Sequence, residues 1–179
     1  DLDPGDDCSF ATVREVAGVV KGVLGELGAT GWPKTTGGSG LHVYVRIQPD
    51  HGFTDVRRAA LAFAREVERR SPGQATTTWW RKDRDPRAVF VDFNQNARDH
   101  TIACAYSVRG TPDARVSAPL AWEEVADCEP GAFTVASMPE RFTRLGDLHA
   151  DIDQHPFDIA ELLRWAERDE ADGLDTPQE

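Results

Sequence analysis

The chain has 179 residues, 40% of them hydrophobic, and a formal net charge of -11 at pH 7. Such a length and composition suit one globular domain with a core of its own, and no second folded domain is needed. No run of eighteen apolar residues and no basic leader occurs, so neither a membrane span nor a secretory signal is predicted and the cytoplasm, with nucleoid association, is the expected location.

In chain order, Phe10, Val13, Val16, Ala17, Val20, Val23, Leu24 and Leu27 recur at helical spacing, with Ser9 as N-cap and Gly28 as the stop. Residues 41–47 alternate and carry β-branched and aromatic side chains, which predicts a strand broken by Pro49 and Gly52. A second helix is expected from a Thr54 cap, ending before Ser71-Pro72-Gly73, with Val56, Ala59, Ala60, Phe63, Ala64 and Val67 inward and its arginines facing water. Residues 75–80 are ambiguous between strand and short helix. Residues 88–93 and 101–106 read as strands, separated by a polar loop over 94–100. Beyond them, a short helix is expected near 121–125, a late strand over 133–136, a short helix over 139–145 and a final helix over 156–168. Residues 169–179 are acidic, poor in apolar side chains, and expected to be a disordered tail. The order of elements gives an α+β domain with an antiparallel or mixed sheet and helices on one face.

Cys8, Cys104 and Cys128 match neither a disulfide framework nor a zinc spacing and read as reduced, buried thiols. The negative charge argues against a protein that coats nucleic acid by bulk electrostatics. Yet Arg57, Arg58, Arg65, Arg69, Arg70, Arg81, Lys82 and Arg84 gather in mid-chain, either as a basic rail for a DNA backbone or as a solvated helix face. Trp79 and Trp80 admit base stacking or plain packing, with packing the preferred reading.

The chemistry is suggested by acids on strand-like runs. Asp1 and Asp3 are two apart and project to one side, and Asp92 lies in the alternating run Val89-Phe90-Val91-Asp92-Phe93. Three clustered carboxylates repel one another unless cations bridge them, and hard oxygen ligands favour Mg²⁺ or Mn²⁺. An Asp-x-Asp pair is also common at turns and strand ends. The stretch Lys34-Thr35-Thr36-Gly37-Gly38-Ser39-Gly40-Leu41-His42 offers backbone amides for a triphosphate, or is a flexible hairpin loop.

Asp1-Leu2-Asp3-Pro4-Gly5, the Gly-rich stretch ending in His42, and Val91-Asp92-Phe93-Asn94-Gln95-Asn96 followed by Ala105-Tyr106-Ser107-Val108-Arg109 resemble three ordered motifs of one family. That family is the archaeo-eukaryotic primase superfamily, specifically the polymerase domain of bacterial ligase D and its stand-alone primase-polymerase relatives. Val116-Ser117-Ala118-Pro119-Leu120-Ala121-Trp122-Glu123-Glu124 resembles the segment that follows the third motif. The resemblance implies an RNA-recognition-motif-like catalytic module over 1–168. It implies two Mn²⁺ or Mg²⁺ ions held by Asp1, Asp3 and Asp92, and a nucleotidyl transfer from NTP or dNTP to a primer 3′-hydroxyl. By the same resemblance Thr36, Ser39, His42, Gln95 and Arg109 line the nucleotide site; Thr36 stands where the family commonly has serine, and Ser39 departs from the frequent lysine, so one positive phosphate contact is lost. Implied partners are primer-template or gapped DNA, with a DNA ligase and end-binding repair proteins as candidate protein partners. A non-catalytic nucleic-acid-binding module and a metal-dependent phosphohydrolase are the competing readings. Because the chain opens without Met inside the first motif, it is expected to be a piece of a longer protein, with a frayed first strand, weak metal binding and little activity by itself.

Overall fold

The computed structural model describes residues 1–174, and residues 175–179 of the predicted acidic tail lie outside the described residues. Five strands form one mixed sheet: β1 (Leu2–Pro4), β2 (Trp32–Thr35), β3 (Leu41–Tyr44), β4 (Ala75–Thr76) and β5 (Val89–Val91), in the order β2-β3-β1-β5-β4. Only β4 and β5 run parallel. The first strand is central rather than frayed, which corrects the expectation for the chain's opening residues. Leu2 pairs with Leu41 on one side and with Val91 on the other, and Asp92 N donates to Asp1 O at 2.8 Å.

Strand alternation divides the sheet into two chemically distinct faces. Leu2, Leu41, Val89 and Val91 point to the side packed by two helices, α1 (Phe10–Glu26) and α2 (Phe53–Arg70), and are nearly fully buried. Asp1, Asp3, Lys34, His42, Phe90 and Asp92 share the opposite face by register, since Asp3 lies across from Phe90 and Lys34 across from His42. At the edge of the sheet, residues 116–120 run antiparallel beside β2, held by Thr35 N to Ala118 O and Leu120 N to Pro33 O.

In α1 the Ser9 side chain accepts from Thr12 N, as its cap position predicts, and Gly28 takes a left-handed φ of 69° just past the end. The start of α2 differs from the sequence reading. Gly52 is its N-cap and makes no side-chain cap bond, so Thr54 sits within the first turn. Nor do all its arginines face water. Arg57 is 7% exposed, donates from Nε to Asn94 Oδ1 at 2.7 Å, and lies over the rings of both Trp79 and Phe93.

The other arginines of α2 serve α4 (Ala160–Ala171) and α1: Arg58 pairs with Glu170, Arg65 and Arg69 approach Asp169, and Arg70 pairs with Glu26. A basic rail on this helix is therefore largely consumed inside the molecule. These contacts also correct the tail, because α4 runs on to Ala171 and Asp169, expected to be disordered, is 1% exposed. Its carboxylate takes 2.8 Å from Arg168 Nη2, while its backbone oxygen accepts from Leu174 N. Asp169→Ala is expected to cost about 1–3 kcal/mol, since it removes a buried carboxylate that Arg65, Arg69 and Arg168 approach. Urea denaturation beside the exposed control Glu167→Ala checks this, and equal midpoints would reduce the Asp169 contacts to surface pairs.

Further expectations are corrected. The strand expected over 41–47 ends at Tyr44, and Ile47 makes only a bridge to Phe157, whose pairing with the 46–48 backbone also delays α4 to Ala160. Residues 101–106 form no strand: Tyr106 adopts a φ of 66° and the chain turns, with Ser107 N donating to Cys104 O. Residues 121–125 are turns rather than a helix, and 133–136 contribute a single bridge, Thr134 to Arg115. Of the cysteines, all free, only Cys128 is buried, and Cys104 is exposed. The ambiguous 75–80 segment resolves into the two-residue β4 followed by irregular chain in which Trp79 packs on Phe93 and Trp80 is exposed. The short helix expected over 139–145 forms as α3 (Met138–Leu145). Among the described residues no helix is long and apolar enough to cross a membrane.

Candidate active site

Carboxyl oxygens of Asp1, Asp3 and Asp92 lie within 4.8 Å of one another on the face turned away from the helices. The sheet itself makes this cluster: β1 carries two acids at period two, and β5 places the third directly beside Asp1. The cluster is electrostatically incomplete as it stands. Burial, followed by the charge of Asp92, pushes the Asp3 carboxyl above its ordinary range. Asp1 Oδ1 is buried and makes no hydrogen bond, although His42 Nε2 stands 3.3 Å away. An orphaned buried carboxylate oxygen inside an all-oxygen donor set fits a hard divalent cation.

Asp92 is held by its own loop. Asn94 N donates to Oδ1 at 2.8 Å and Gln95 Nε2 to Oδ2 at 3.1 Å, from a single 3₁₀ turn over Asn94–Asn96. Gln95 thus reaches the centre through Asp92. Arg57 fixes the same turn to α2 through Asn94, a role that helix periodicity conceals because the pattern assigns Arg57 to a solvated face.

The Gly-rich stretch is the β2–β3 hairpin loop. Thr36 Oγ1 accepts from Gly38 N at 3.0 Å and Gly40 N at 3.2 Å, so the hydroxyl organises the loop and occupies two of the amides that spacing offered to a phosphate. Ser39 is exposed at the tip. Arg109 is exposed and packs its stem over Gly37, whose φ is 72°. Its guanidinium makes no hydrogen bond or ion pair among the described residues, which leaves its donors available beside the loop. Arg109 and Thr36 therefore sit at the β2–β3 loop with Ser39 at its tip, and His42, which follows that loop, reaches toward Asp1.

The sequence reading passed over Lys34. It is wholly buried and donates to Ser117 Oγ at 2.5 Å, to His42 Nδ1 at 2.7 Å and to Ala103 O at 2.8 Å. Burial lowers its pKa to about 8, which still leaves mostly ammonium at neutral pH. Burial first and the Lys34 charge second lower His42 to about 3, so the imidazole is neutral. Arg84 is the other cation near the acids: its guanidinium lies 3.3 Å from the Phe90 ring centroid, anchored by Thr78 O and Trp79 O.

The raised Asp3 pKa has a sign that can be checked. The folded protein holds that proton more tightly than the unfolded chain, so ionising Asp3 lowers stability as pH rises through the range just above an ordinary aspartate. Cation and proton compete for the same oxygen. Mn²⁺ affinity is therefore expected to fall as pH drops from neutral through the range just above an ordinary aspartate, and calorimetric titration along that range measures it; a flat response would remove Asp3 from the binding set.

Comparison with known proteins agrees with the motif reading. The family model described as LigD, primase-polymerase domain, matches residues 1–149. The multifunctional non-homologous end joining DNA repair protein LigD of Mycobacterium tuberculosis is 32% identical over 153 residues, covering 86% of this chain and 20% of that protein. The bifunctional non-homologous end joining protein LigD of Bacillus subtilis is 30% identical over 160 residues, covering 88% and 26%. The chain thus spans about a quarter or less of these relatives. The solved polymerase domain of Mycobacterium tuberculosis ligase D, in complex with DNA, superposes with a TM-score of 0.78 at 31% identity, covering 87% of this chain and 54% of that one.

Proposed function

The chain belongs to the LigD primase-polymerase domain family, and from that premise we propose that it forms the metal-binding centre of a DNA-repair primase-polymerase. The reaction is transfer of a nucleotide from NTP or dNTP to a primer 3′-hydroxyl, in gap filling or non-homologous end joining. The observation that carries this reading is the meeting of Asp1, Asp3 and Asp92 within 4.8 Å on an open sheet face. Two divalent ions, held there by Asp1, Asp3 and Asp92, would supply activation of the 3′-hydroxyl and neutralisation of triphosphate charge.

The chain's own residues would divide the remaining work. Asp1, Asp3 and Asp92 would hold Mn²⁺ or Mg²⁺, and Gln95 and Asn94 N orient the Asp92 carboxylate. Arg109 offers a fork of donors suited to phosphate oxygens. His42 would donate to the triphosphate, and Thr36 shapes the loop that borders it. Primer-template or gapped DNA would approach from the same face. A DNA ligase and end-binding repair proteins are the protein partners proposed, in keeping with relatives named as non-homologous end joining proteins.

Primer extension on a gapped duplex with Mn²⁺, with products resolved by length and by released anion, tests the reading. Extended primer with pyrophosphate is the expected result. Inorganic phosphate without extension would indicate a phosphohydrolase, and DNA binding without turnover a non-catalytic module, consistent with serine at position 39. Arg109→Lys keeps the charge but loses the bidentate fork, and is expected to weaken triphosphate binding by about 1–3 kcal/mol. Titration of triphosphate into both proteins in Mn²⁺ measures the difference, and equal affinities would leave Arg109 outside the site.

A further inference from the structure

Lys34 is among the largest of the fully buried side chains, and all three atoms that it donates to are uncharged. Ser117 Oγ gives its single hydrogen to Thr35 O at 2.7 Å, so toward Lys34 it acts as an acceptor. Ala103 O is an acceptor by nature. An ammonium carries three N–H groups, and the third falls to His42 Nδ1. The Tyr44 ring, 5.1 Å from Nζ and stacked on His42, favours the charged form of the lysine. With Nδ1 occupied as an acceptor, the one ring proton of the neutral imidazole sits on Nε2, the nitrogen that faces Asp1.

We infer that Lys34 is a positioning residue: it caps Nδ1 of His42, so that this histidine meets the carboxylate centre as an N–H donor and not as a nitrogen ligand for a metal ion. The inference rests on the reading of the site as a metal and triphosphate centre, and it names what sets the character of that centre. A bare Nε2 at 3.3 Å from Asp1 Oδ1 would add a nitrogen to the donor set and shift its preference toward borderline metals such as zinc. A protonated Nε2 leaves an all-oxygen set for Mg²⁺ or Mn²⁺ and turns the imidazole toward anionic oxygens, those of Asp1 or of a phosphate. The β2–β3 hairpin builds this arrangement directly, because Lys34 and His42 are cross-strand partners in register.

Long-range ¹H–¹⁵N spectra of protein labelled at histidine nitrogen, recorded near neutral pH without metal or nucleotide, read the ring state, with His42→Gln identifying the resonances. Wild-type His42 is expected to show a bare Nδ1 and a protonated Nε2. In Lys34→Met a proton is expected on Nδ1, as the other tautomer or as imidazolium, with triphosphate affinity about tenfold weaker, the scale of one hydrogen bond to a charged group, and a smaller change for Mn²⁺ alone. Should Lys34→Met not fold, Lys34→Gln, whose amide keeps polar partners for the pocket, is read the same way. A proton on Nδ1 in the wild type, or an Nδ1 still bare in the folded variant, overturns the inference. Because the spectra need no turnover, a failed primer extension alongside the expected spectra would sink the polymerase reading and leave the role of Lys34 standing.

Discussion

Asp92→Asn is expected to lower Mn²⁺-dependent nucleotide incorporation by at least about 100-fold, the scale of losing a group that holds catalytic charge, while the thermal midpoint stays at or above the wild-type value. The substitution removes one of three negative charges packed within 4.8 Å, and with it part of the repulsion that raises Asp3. Asparagine retains an oxygen for Asn94 N, so the turn after β5 keeps its anchor. Asp92→Ala is the poorer probe, because it discards the bonds from both Asn94 and Gln95 and mixes structural loss with loss of charge. Primer extension and differential scanning calorimetry on the same preparation separate the two effects. Extension at wild-type rates would remove Asp92 from the chemistry, and a collapsed transition would make it a structural residue.

The centre was legible because its geometry is that of a strand: alternation alone puts Asp1 and Asp3 on one face, and the apolar run Val89-Phe90-Val91 before Asp92 marks a core strand able to pair beside them. The helices α1 and α2 were legible for the same reason, each with a continuous apolar stripe. What alternation does not show is pairing across a loop. Lys34 looks like the first residue of a flexible Gly-rich segment until β2 is recognised, and β2 is only four residues long and contains Pro33. Counting inward from Thr35 and Leu41 then puts Lys34 opposite His42, a relation that sequence spacing contains but periodicity does not reveal. Arg57 and Asp169 were misplaced for a different reason. Each is charged on an amphipathic helix, where the pattern assigns charge to water, and each is buried because a neighbouring side chain, Asn94 for Arg57 and Arg168 for Asp169, supplies its partner. The strands expected over 101–106 and 133–136 failed because their β-rich composition serves irregular chain tied to neighbours by single bridges and turns.

Gly40→Ala is expected to destabilise the fold by about 3 kcal/mol or more, as overpacking against immobile backbone does, and to loosen the site with it. A Cβ at Gly40 would lie 2.3 Å from Leu2 O, and that carbonyl belongs to the central strand, whose pairing to both neighbours prevents it from moving aside. The loop would have to lift, taking Leu41 and His42 away from Leu2 and Asp1. Gly38 is the internal control, since a Cβ there meets only Thr36 Oγ1 at 3.3 Å and that contact can relax. Gly38→Ala should therefore stay within about 1 kcal/mol of wild type. Urea denaturation of both variants gives the stability difference, and Mn²⁺ titration at low denaturant shows whether the carboxylate centre is disturbed. Matching midpoints for the two variants would mean that the hairpin loop and β1 are not rigidly packed at Gly40. A destabilised Gly40→Ala that binds Mn²⁺ as tightly as wild type would show instead that the carboxylate centre is set by β1 and β5 alone.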